Sequence, residues 1–309
     1  MQVSVIIPVF NSEKYLKRCL DSVVKALNVF GRTSEILAID NNSTDSSLIV
    51  LQKYAEKYPD LFRVMQCSTP GAAAVRNFGV MKARGKYIWF VDADDEITKE
   101  SVSKLFTEAE SRKADIVSLG LTKIYPDGHK DYIHAINASD SDFCSKFIRR
   151  EPGPVQVLIR REWYKKHGFM FLEGGIHEDM EMMPALILYT DKFGSVDEPL
   201  YLYYQNCGSV LHPTEWSEHY FDIFPALEGL YGRFKKAGAV SKYHDELEWF
   251  FIWNLLMDSA EYFRMFPQGR PGLLKSRKML RRYFPNWWHN KFLGKVNLRT
   301  RLKIYRNYF

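Results

Sequence analysis

Apolar runs and amphipathic stretches alternate from the first residues of the chain. Val3–Val9 (VSVIIPV) is almost continuously apolar, the pattern of a strand buried on both faces. The segment after it places Tyr15, Leu16, Cys19, Leu20, Val23, Val24 and Leu27 on helical spacing. Glu35–Asp40 (EILAID) predicts a second strand, and Ser43 is then positioned to cap a helix reaching about Tyr58. Phe62–Gln66 reads as a third strand, 71–83 as a glycine-marked helix, and 86–91 (KYIWFV) as a fourth strand. Thr98 is expected to cap a helix to about Arg112, with a further strand over 115–119. Strands alternating with helices indicate a parallel sheet with right-handed crossovers over the first 120 residues or so.

Beyond that point the pattern changes. The stretch 125–130 (YPDGHK) is a turn between short β-like segments, and Pro152 and Pro154 interrupt the chain before the apolar run 155–159. After Gly174 and Gly175 a helix is expected over 177–189, then a β-rich segment over 194–204. From about residue 215 the pattern is helical, with Tyr220, Phe224, Leu227 and Leu230 on one face and a longer helix over 243–266. No internal repeat or low-complexity linker interrupts it.

Composition narrows the class. The 309 residues are 46% hydrophobic and 15% aromatic, enough for a sizeable core. Four well-separated cysteines without a C-x-x-C pair argue against a zinc module or a disulfide framework and fit reduced thiols in a cytoplasmic compartment. Neither a signal peptide nor an apolar run of about 20 residues is present, so secretion by that route and membrane insertion are not expected. The net charge of +6 is unevenly placed. Residues 262–309 carry 13 of the 43 Lys/Arg and no Asp/Glu, leaving 30 cations against all 37 acids in the first 261. Such an asymmetry marks a polyanionic surface as partner.

Two nucleotide motifs are excluded. The loop after the first strand (PVFN) has no G-x-G-x-x-G, and Gly79 to Gly85-Lys86 has the wrong spacing for a phosphate-binding loop, with Tyr87 at the Ser/Thr position. Four polar clusters remain. Asp92, Ala93, Asp94 and Asp95 follow directly on an apolar strand, where ligands bind in open α/β sheets, and Asp92 and Asp94 can share one divalent cation with substrate phosphates. Asp40, Asn41, Asn42, Ser43 and Asp45 stand at another strand end, suited to a base edge or ribose, although Ser43 and Asp45 also fit a simple turn. Gly71–Gly79 brings small residues together with Arg76, which can meet a diphosphate, and Asn77. His177, Glu178 and Asp179 follow two glycines, where a carboxylate can act as a base or merely complement a helix dipole.

These clusters, in this order, resemble the family 2 inverting glycosyltransferases of the GT-A fold. Pro8, Val9, Phe10 and Asn11, with Glu13 following, match the family's opening motif, and Asp40, Ser43 and Asp45 its second. Gly71–Gly79 matches G-x-[AS]-x-A-R-N-x-G, Val91–Asp95 matches L-D-x-D-D, and Glu178-Asp179 matches the acceptor-side pair. The resemblance implies an α/β fold: a GT-A-type nucleotide-binding sheet, mostly parallel but mixed toward the acceptor side, with flanking helices and a C-terminal helical extension. It implies a catalytic domain over 1–213 (nucleotide-sugar half 1–120, acceptor half 121–213) and a basic, aromatic helical region over 214–309. Pro8, Phe10, Asn11, Glu13, Asp40, Asn41, Arg76, Asn77, Asp92 and Ala93 would surround the nucleotide. Asp94 and Asp92 would hold Mn²⁺ or Mg²⁺, Asp179 would be the base, and Glu178 and His177 would support it. Asn41 and Asn42 depart from the usual Asp and Gly, and Tyr204 stands where many relatives have arginine, leaving His212 as a possible diphosphate contact.

The implied reaction moves a sugar from a nucleotide-diphosphate donor, a UDP-sugar, to a hydroxyl of a glycan or lipid-linked acceptor. A sugar-phosphate nucleotidyltransferase would need a glycine-rich basic loop after the first strand, which PVFN lacks. A non-catalytic membrane- or nucleic-acid-binding protein with a degenerate body is disfavoured by Asp92, Asp94 and Asp179, and no nucleic acid partner is expected. In the tail, Phe266, Leu273, Leu274, Met279, Leu280, Tyr283, Phe284, Trp287, Trp288, Phe292 and Leu293 interleave with the cations. That predicts peripheral binding to an anionic membrane surface at the inner face, with the aromatics near Trp288 at headgroup depth; packing onto the body is the alternative.

Overall fold

The computed structural model describes residues 1–150, 152–206 and 215–309. The chain forms two compact units: Met1–Phe143 with Pro152–Gly174 and Tyr189–Cys207, and Cys144–Glu151 with Gly175–Leu188 and Gly208–Phe309. The first unit opens with β1 (Val3–Val9), α1 (Glu13–Phe30), β2 (Glu35–Asp40), α2 (Ser47–Lys57), β3 (Phe62–Gln66), α3 (Ala72–Lys82) and β4 (Tyr87–Phe90). It continues with β5 (Glu96–Ile97), α4 (Ser101–Arg112), β6 (Ile116–Ile124) and β7 (Lys130–Ile133). After α5 (Phe143–Arg150), most of which belongs to the second unit, come β8 (Val157–Arg160), α6 (Arg161–Lys166) and β9 (Phe193–Tyr204).

Among the described residues nine strands form one sheet in the order β3-β2-β1-β4-β8-β6-β9-β5, with β7 on β6. β3, β2, β1 and β4 run parallel. β8 enters antiparallel between β4 and β6, so the sheet is parallel on one side and mixed on the other. β1 is buried at every position except Pro8, and β2 throughout. α1 turns Leu16, Cys19, Leu20, Val23, Val24 and Leu27 onto the sheet and stops at Gly31, a left-handed residue (φ 65°) whose N–H reaches the Leu27 carbonyl at 3.0 Å.

Gly85 explains the false phosphate-loop signature. A Cβ there would strike the Ser4 nitrogen and lie 2.7 Å from the Val3 carbonyl carbon, both rigid strand backbone. Its N–H donates to Ser4 Oγ at 2.8 Å. Gly85→Ala should therefore lower unfolding stability by about 1–3 kcal/mol, read as a lower urea midpoint at constant slope; an unchanged midpoint would contradict this packing.

Three local expectations are corrected. α2 starts at Ser47 and Ser43 caps nothing, because its hydroxyl accepts the Asn11 N–H at 3.1 Å. α4 starts at Ser101, since the Thr98 N–H is drawn to the Leu200 carbonyl (3.0 Å) as β5 joins β9. Residues 177–189 form no α-helix: a turn in which the Met182 and Met183 N–H groups reach the Asp179 carbonyl (3.0 and 2.8 Å) leads to a 3₁₀ segment, Pro184–Leu188. Pro184 lacks the N–H that would continue helical bonding and crowds the preceding turn.

The second unit adds α7 (Ile223–Lys236), α8 (His244–Trp253), α9 (Ser259–Met265), α10 (Arg270–Tyr283) and α11 (Leu298–Tyr308), with a π-turn joining α8 to α9 inside the expected long helix. Besides 208–309 it takes in 144–151 and 175–188. Segments from the expected acceptor half pack here: Glu181 accepts from Arg233 (2.9 Å), and Ser145 donates to Glu246 (2.8 Å). The tail aromatics are corrected as well. Leu280, Phe284, Trp287, Phe292 and Leu293 are buried, and Trp288 stays 42% exposed, so most of them build this unit's core and cannot reach a headgroup region. Among the described residues no helix is long and apolar enough to cross a membrane.

Candidate active site

Because β1, β2, β3 and β4 are parallel, their following loops gather at one edge. The Asn41 N–H donates to the Val9 carbonyl (2.8 Å), Cys67 to Asp40 (2.9 Å) and Val91 to Ile6 (3.0 Å). Leaving β4, the chain places Asp92, Asp94 and Asp95 within four residues. Asp92 is partly exposed and pairs with the Arg76 guanidinium at 3.1 Å. Asp94 accepts from the Asn206 amide at 2.9 Å, and Asp95 is fully buried. Tyr201 donates to Asp95 at 2.7 Å while its oxygen accepts the Asp92 N–H at 3.1 Å, and the Tyr204 N–H holds the other Asp95 oxygen at 2.8 Å. Burial and the neighbouring Asp92 raise the Asp94 carboxyl above its ordinary range. Burial, Asp92 and Asp94 push Asp95 up to about 8. The carboxylates of Asp92 and Asp94 are hard oxygen donors of the kind that suits Mg²⁺ or Mn²⁺.

On the parallel side, Asn11 (φ 45°) and Glu13 tie two loops together. Asn11 Oδ1 accepts the Thr44 N–H (2.8 Å), and a Glu13 carboxylate oxygen accepts the Ser46 N–H (2.7 Å) while the Glu13 N–H reaches Asp45 (3.0 Å). Pro8 is half-buried, Ala93 buried, and Phe10 stands 61% exposed at this edge. Asp40 is 1% exposed, and its Oδ1 has no hydrogen-bond partner among the described residues. A buried acceptor in that state can take an N–H or O–H from a ligand or from water.

Asn41 and Asn77 differ from expectation. The Asn41 amide donates to the Cys67 and Thr69 carbonyls (both 2.8 Å) and accepts the Gly71 N–H (2.8 Å). It braces the loop before α3 and has no donor left for a base. Asn42 takes the left-handed conformation (φ 61°) usual for glycine, which asparagine tolerates. Asn77 bonds the Phe171 carbonyl (3.0 Å), the Phe171 N–H (2.9 Å) and Glu173 (2.9 Å), so it clamps 171–173 and is not available to a phosphate. Arg76, buried beside it, carries charge to Asp92 and lies over the Phe171 ring.

His177, Glu178 and Asp179 are half-buried in the second unit. Burial, opposed by Asp222, lowers the His177 pKa to about 4, so it is neutral at pH 7 and supplies no charge. Glu181 is paired with Arg233 and is no alternative base. His212 lies outside the described residues. A further histidine–carboxylate group, His244, Asp245 and Glu248, could converge on an ion, but Lys291 (2.8 Å) and Asn290 (2.7 Å) already serve its two carboxylates. Sequence reasoning missed the grip of Tyr201, Tyr204, Asn206 and Arg18 on the acidic loop; only the tyrosine-rich run at 201–204 hinted at it.

Residues 4–168 match the family described as Glycosyl transferase family 2. The chain is 24% identical over 242 residues to the glycosyltransferase GlyG of Streptococcus pneumoniae, covering 72% of this chain and 78% of that protein. It is 37% identical over 172 residues to the poly(ribitol-phosphate) beta-glucosyltransferase of Bacillus spizizenii, covering 55% of this chain but only 27% of that longer protein. The crystal structure of S. aureus TarS 1–349 with UDP-GlcNAc superposes with a TM-score of 0.75 at 20% identity, over 100% of this chain and 89% of that one. A mannosyltransferase from Pyrobaculum calidifontis, solved with GDP-Man and Mn²⁺, reaches 0.55 at 15% identity, over 99% and 85%.

Proposed function

Because this chain belongs to glycosyl transferase family 2, we propose that it moves a sugar, with inversion, from a UDP-sugar to a hydroxyl of a glycan or lipid-linked acceptor. The observation that carries this reading is the Asp92–Asp94 carboxylate pair at the C-terminal edge of the parallel strands, held by Arg76, Tyr201 and Asn206. Buried Asp40 with its open acceptor suits the N–H of a uracil, and the exposed Phe10 ring suits its face. The UDP-GlcNAc complex of TarS supports the donor class, and the Bacillus relative's name supports a polymer acceptor.

In this mechanism Asp179 accepts the acceptor's hydroxyl proton as the oxygen attacks the anomeric carbon, and the nucleoside diphosphate departs on the opposite side. Arg76 balances charge at Asp92, while Tyr201, Tyr204 and Asn206 fix the loop. A bound Mn²⁺ or Mg²⁺ supplies electrostatic stabilisation of the leaving phosphate and would be held by Asp94 and Asp92. No protein nucleophile is required.

Calorimetric titration with Mn²⁺ present tests the donor assignment. UDP should bind more tightly than GDP, and Asp40→Ala should weaken UDP by about 10–100-fold, the worth of a buried hydrogen bond to a charged group. Equal binding of UDP and GDP, or unchanged UDP affinity in Asp40→Ala, would overturn it.

The same reading places the enzyme in the cytoplasm against the inner face of a membrane, held by the outward cations of α10 and by exposed Leu298 and Leu302 of α11. Truncation cannot test this, since Leu280, Phe284 and Trp287 belong to the core. Charge reversal at exposed Arg270 and Lys278 should instead abolish salt-sensitive cosedimentation with anionic liposomes; undiminished binding of the reversed protein would remove the α10 contact.

A further inference from the structure

A cavity of about 680 Å³ lies in the first unit between α1 and β5, and none of Asp40, Asp92 or Asp94 lines it. Its walls carry Lys14, Lys17, Arg18, Lys25 and Lys99 against the two carboxylates Asp21 and Glu96. The acids are already committed: Lys17 pairs with Asp21 at 2.8 Å, and Arg18 with Glu96 at 3.2 Å. Lys14 and Lys25 reach solvent at the two ends of the wall. Positions 14, 18, 21 and 25 share one face of α1, and the eleven helical steps from Lys14 to Lys25 span about 16 Å at 1.5 Å per step. That is too long for one phosphate to bridge and suits a chain of repeated anions. Among the described residues the one aliphatic lining side chain is Ile97 and no aromatic ring lines the cavity to stack a base, so a nucleic acid strand fits it poorly.

The cavity is also joined to the acidic loop. Arg18 donates to the Asp94 carbonyl at 2.6 Å and lies over the Tyr204 ring with its guanidinium carbon 3.6 Å from the centroid. The guanidinium that lines the cavity is thus also a strut of the Asp92–Asp95 turn.

We propose that this cavity binds a linear polyanion bearing phosphate groups, and that this chain is the acceptor polymer or its phosphorylated stem. The acceptor identity rests on the proposed glycosyl transfer; the anion site itself does not. Lys14 and Lys25 anchor the chain at the two ends of the groove, and Arg18 couples its occupancy to the acidic loop.

The test uses a fluorescein-labelled short linear polyphosphate, read by anisotropy with the full chain. Lys14→Glu/Lys25→Glu should weaken binding about tenfold or more at low salt, and Lys14→Gln/Lys25→Gln should do so by less. Arg270→Glu/Lys278→Glu, an equal charge change on α10, should leave binding within about twofold. Hydrolysis of UDP-sugar without acceptor should be unchanged in the groove variants. Wild-type affinity in both groove variants, or equal losses in the groove and α10 variants, would overturn the site. Displacement by orthophosphate at matched phosphate concentration would show a single-phosphate site and overturn the polymer. Tighter binding of a single-stranded DNA oligonucleotide would overturn it in favour of nucleic acid. Groove-specific binding without any donor hydrolysis would leave the anion site standing and defeat the transferase reading alone.

Discussion

Asp179→Asn is expected to slow sugar transfer by about 10²–10⁴-fold, the usual loss when a general base is removed. The substitution keeps the side chain's shape. It also spares the turn, which is held by the Asp179 carbonyl accepting from Met182 and Met183 at 3.0 and 2.8 Å. UDP affinity should therefore stay within about twofold and the melting temperature should hold. The proposed division of labour also fixes the comparison with the adjacent acid: Glu178→Gln should retain most activity. If Asp179→Asn kept near-normal transfer while Glu178→Gln lost it, the two roles would have to be exchanged.

Asp94→Ala should be as damaging through a different route. In the proposed mechanism Asp94→Ala would remove one of the two carboxylates that hold the divalent cation, and with it stabilisation of the departing diphosphate, costing on the order of 10³-fold. Here nucleotide affinity in Mn²⁺ should fall together with turnover, unlike in Asp179→Asn. The fold should not suffer. Asp94 is a half-buried acid whose carboxyl is raised by partial burial and by Asp92, so its removal relieves repulsion and offsets the lost Asn206 bond. An unfolded Asp94→Ala protein, or one with intact Mn²⁺-dependent UDP binding, would contradict this assignment.

The parallel half of the sheet was legible because β1, β2 and β4 are buried almost throughout, while the edge strand β3, with only Phe62 buried, still shows as a short apolar run. Val3–Val9, Glu35–Asp40 and Phe62–Gln66 appear with the bounds their apolar runs predict, and α1 buries the residues its periodicity selects apart from the half-buried Tyr15. Where two signals competed, the reading failed. The apolar stretch around Met182–Leu186 looks helical until Pro184 is given its full weight, and Ser43 resembles a cap until Asn11, 32 residues away, is seen to take its hydroxyl. The candidate site was legible as a set of acids at strand ends but not as a set of supports. Asn41 and Asn77 belong to motifs that suggest ligand contact, but Asn41 spends its amide on backbone carbonyls 26 and 28 residues away, and Asn77 on a carbonyl 94 residues away and the Glu173 carboxylate. No local pattern reports such partners. In the tail, composition gave the charge asymmetry correctly but could not say that Phe284 and Trp287 turn inward.

The most direct test of the central claim is release of UDP from a panel of UDP-sugars by the purified chain, with and without Mn²⁺. Wild type should release UDP from at least one sugar only when the metal is present, and Asp94→Ala should release none. No release from any UDP-sugar by folded, metal-supplied protein, or equal release in EDTA, would contradict a metal-assisted glycosyltransferase.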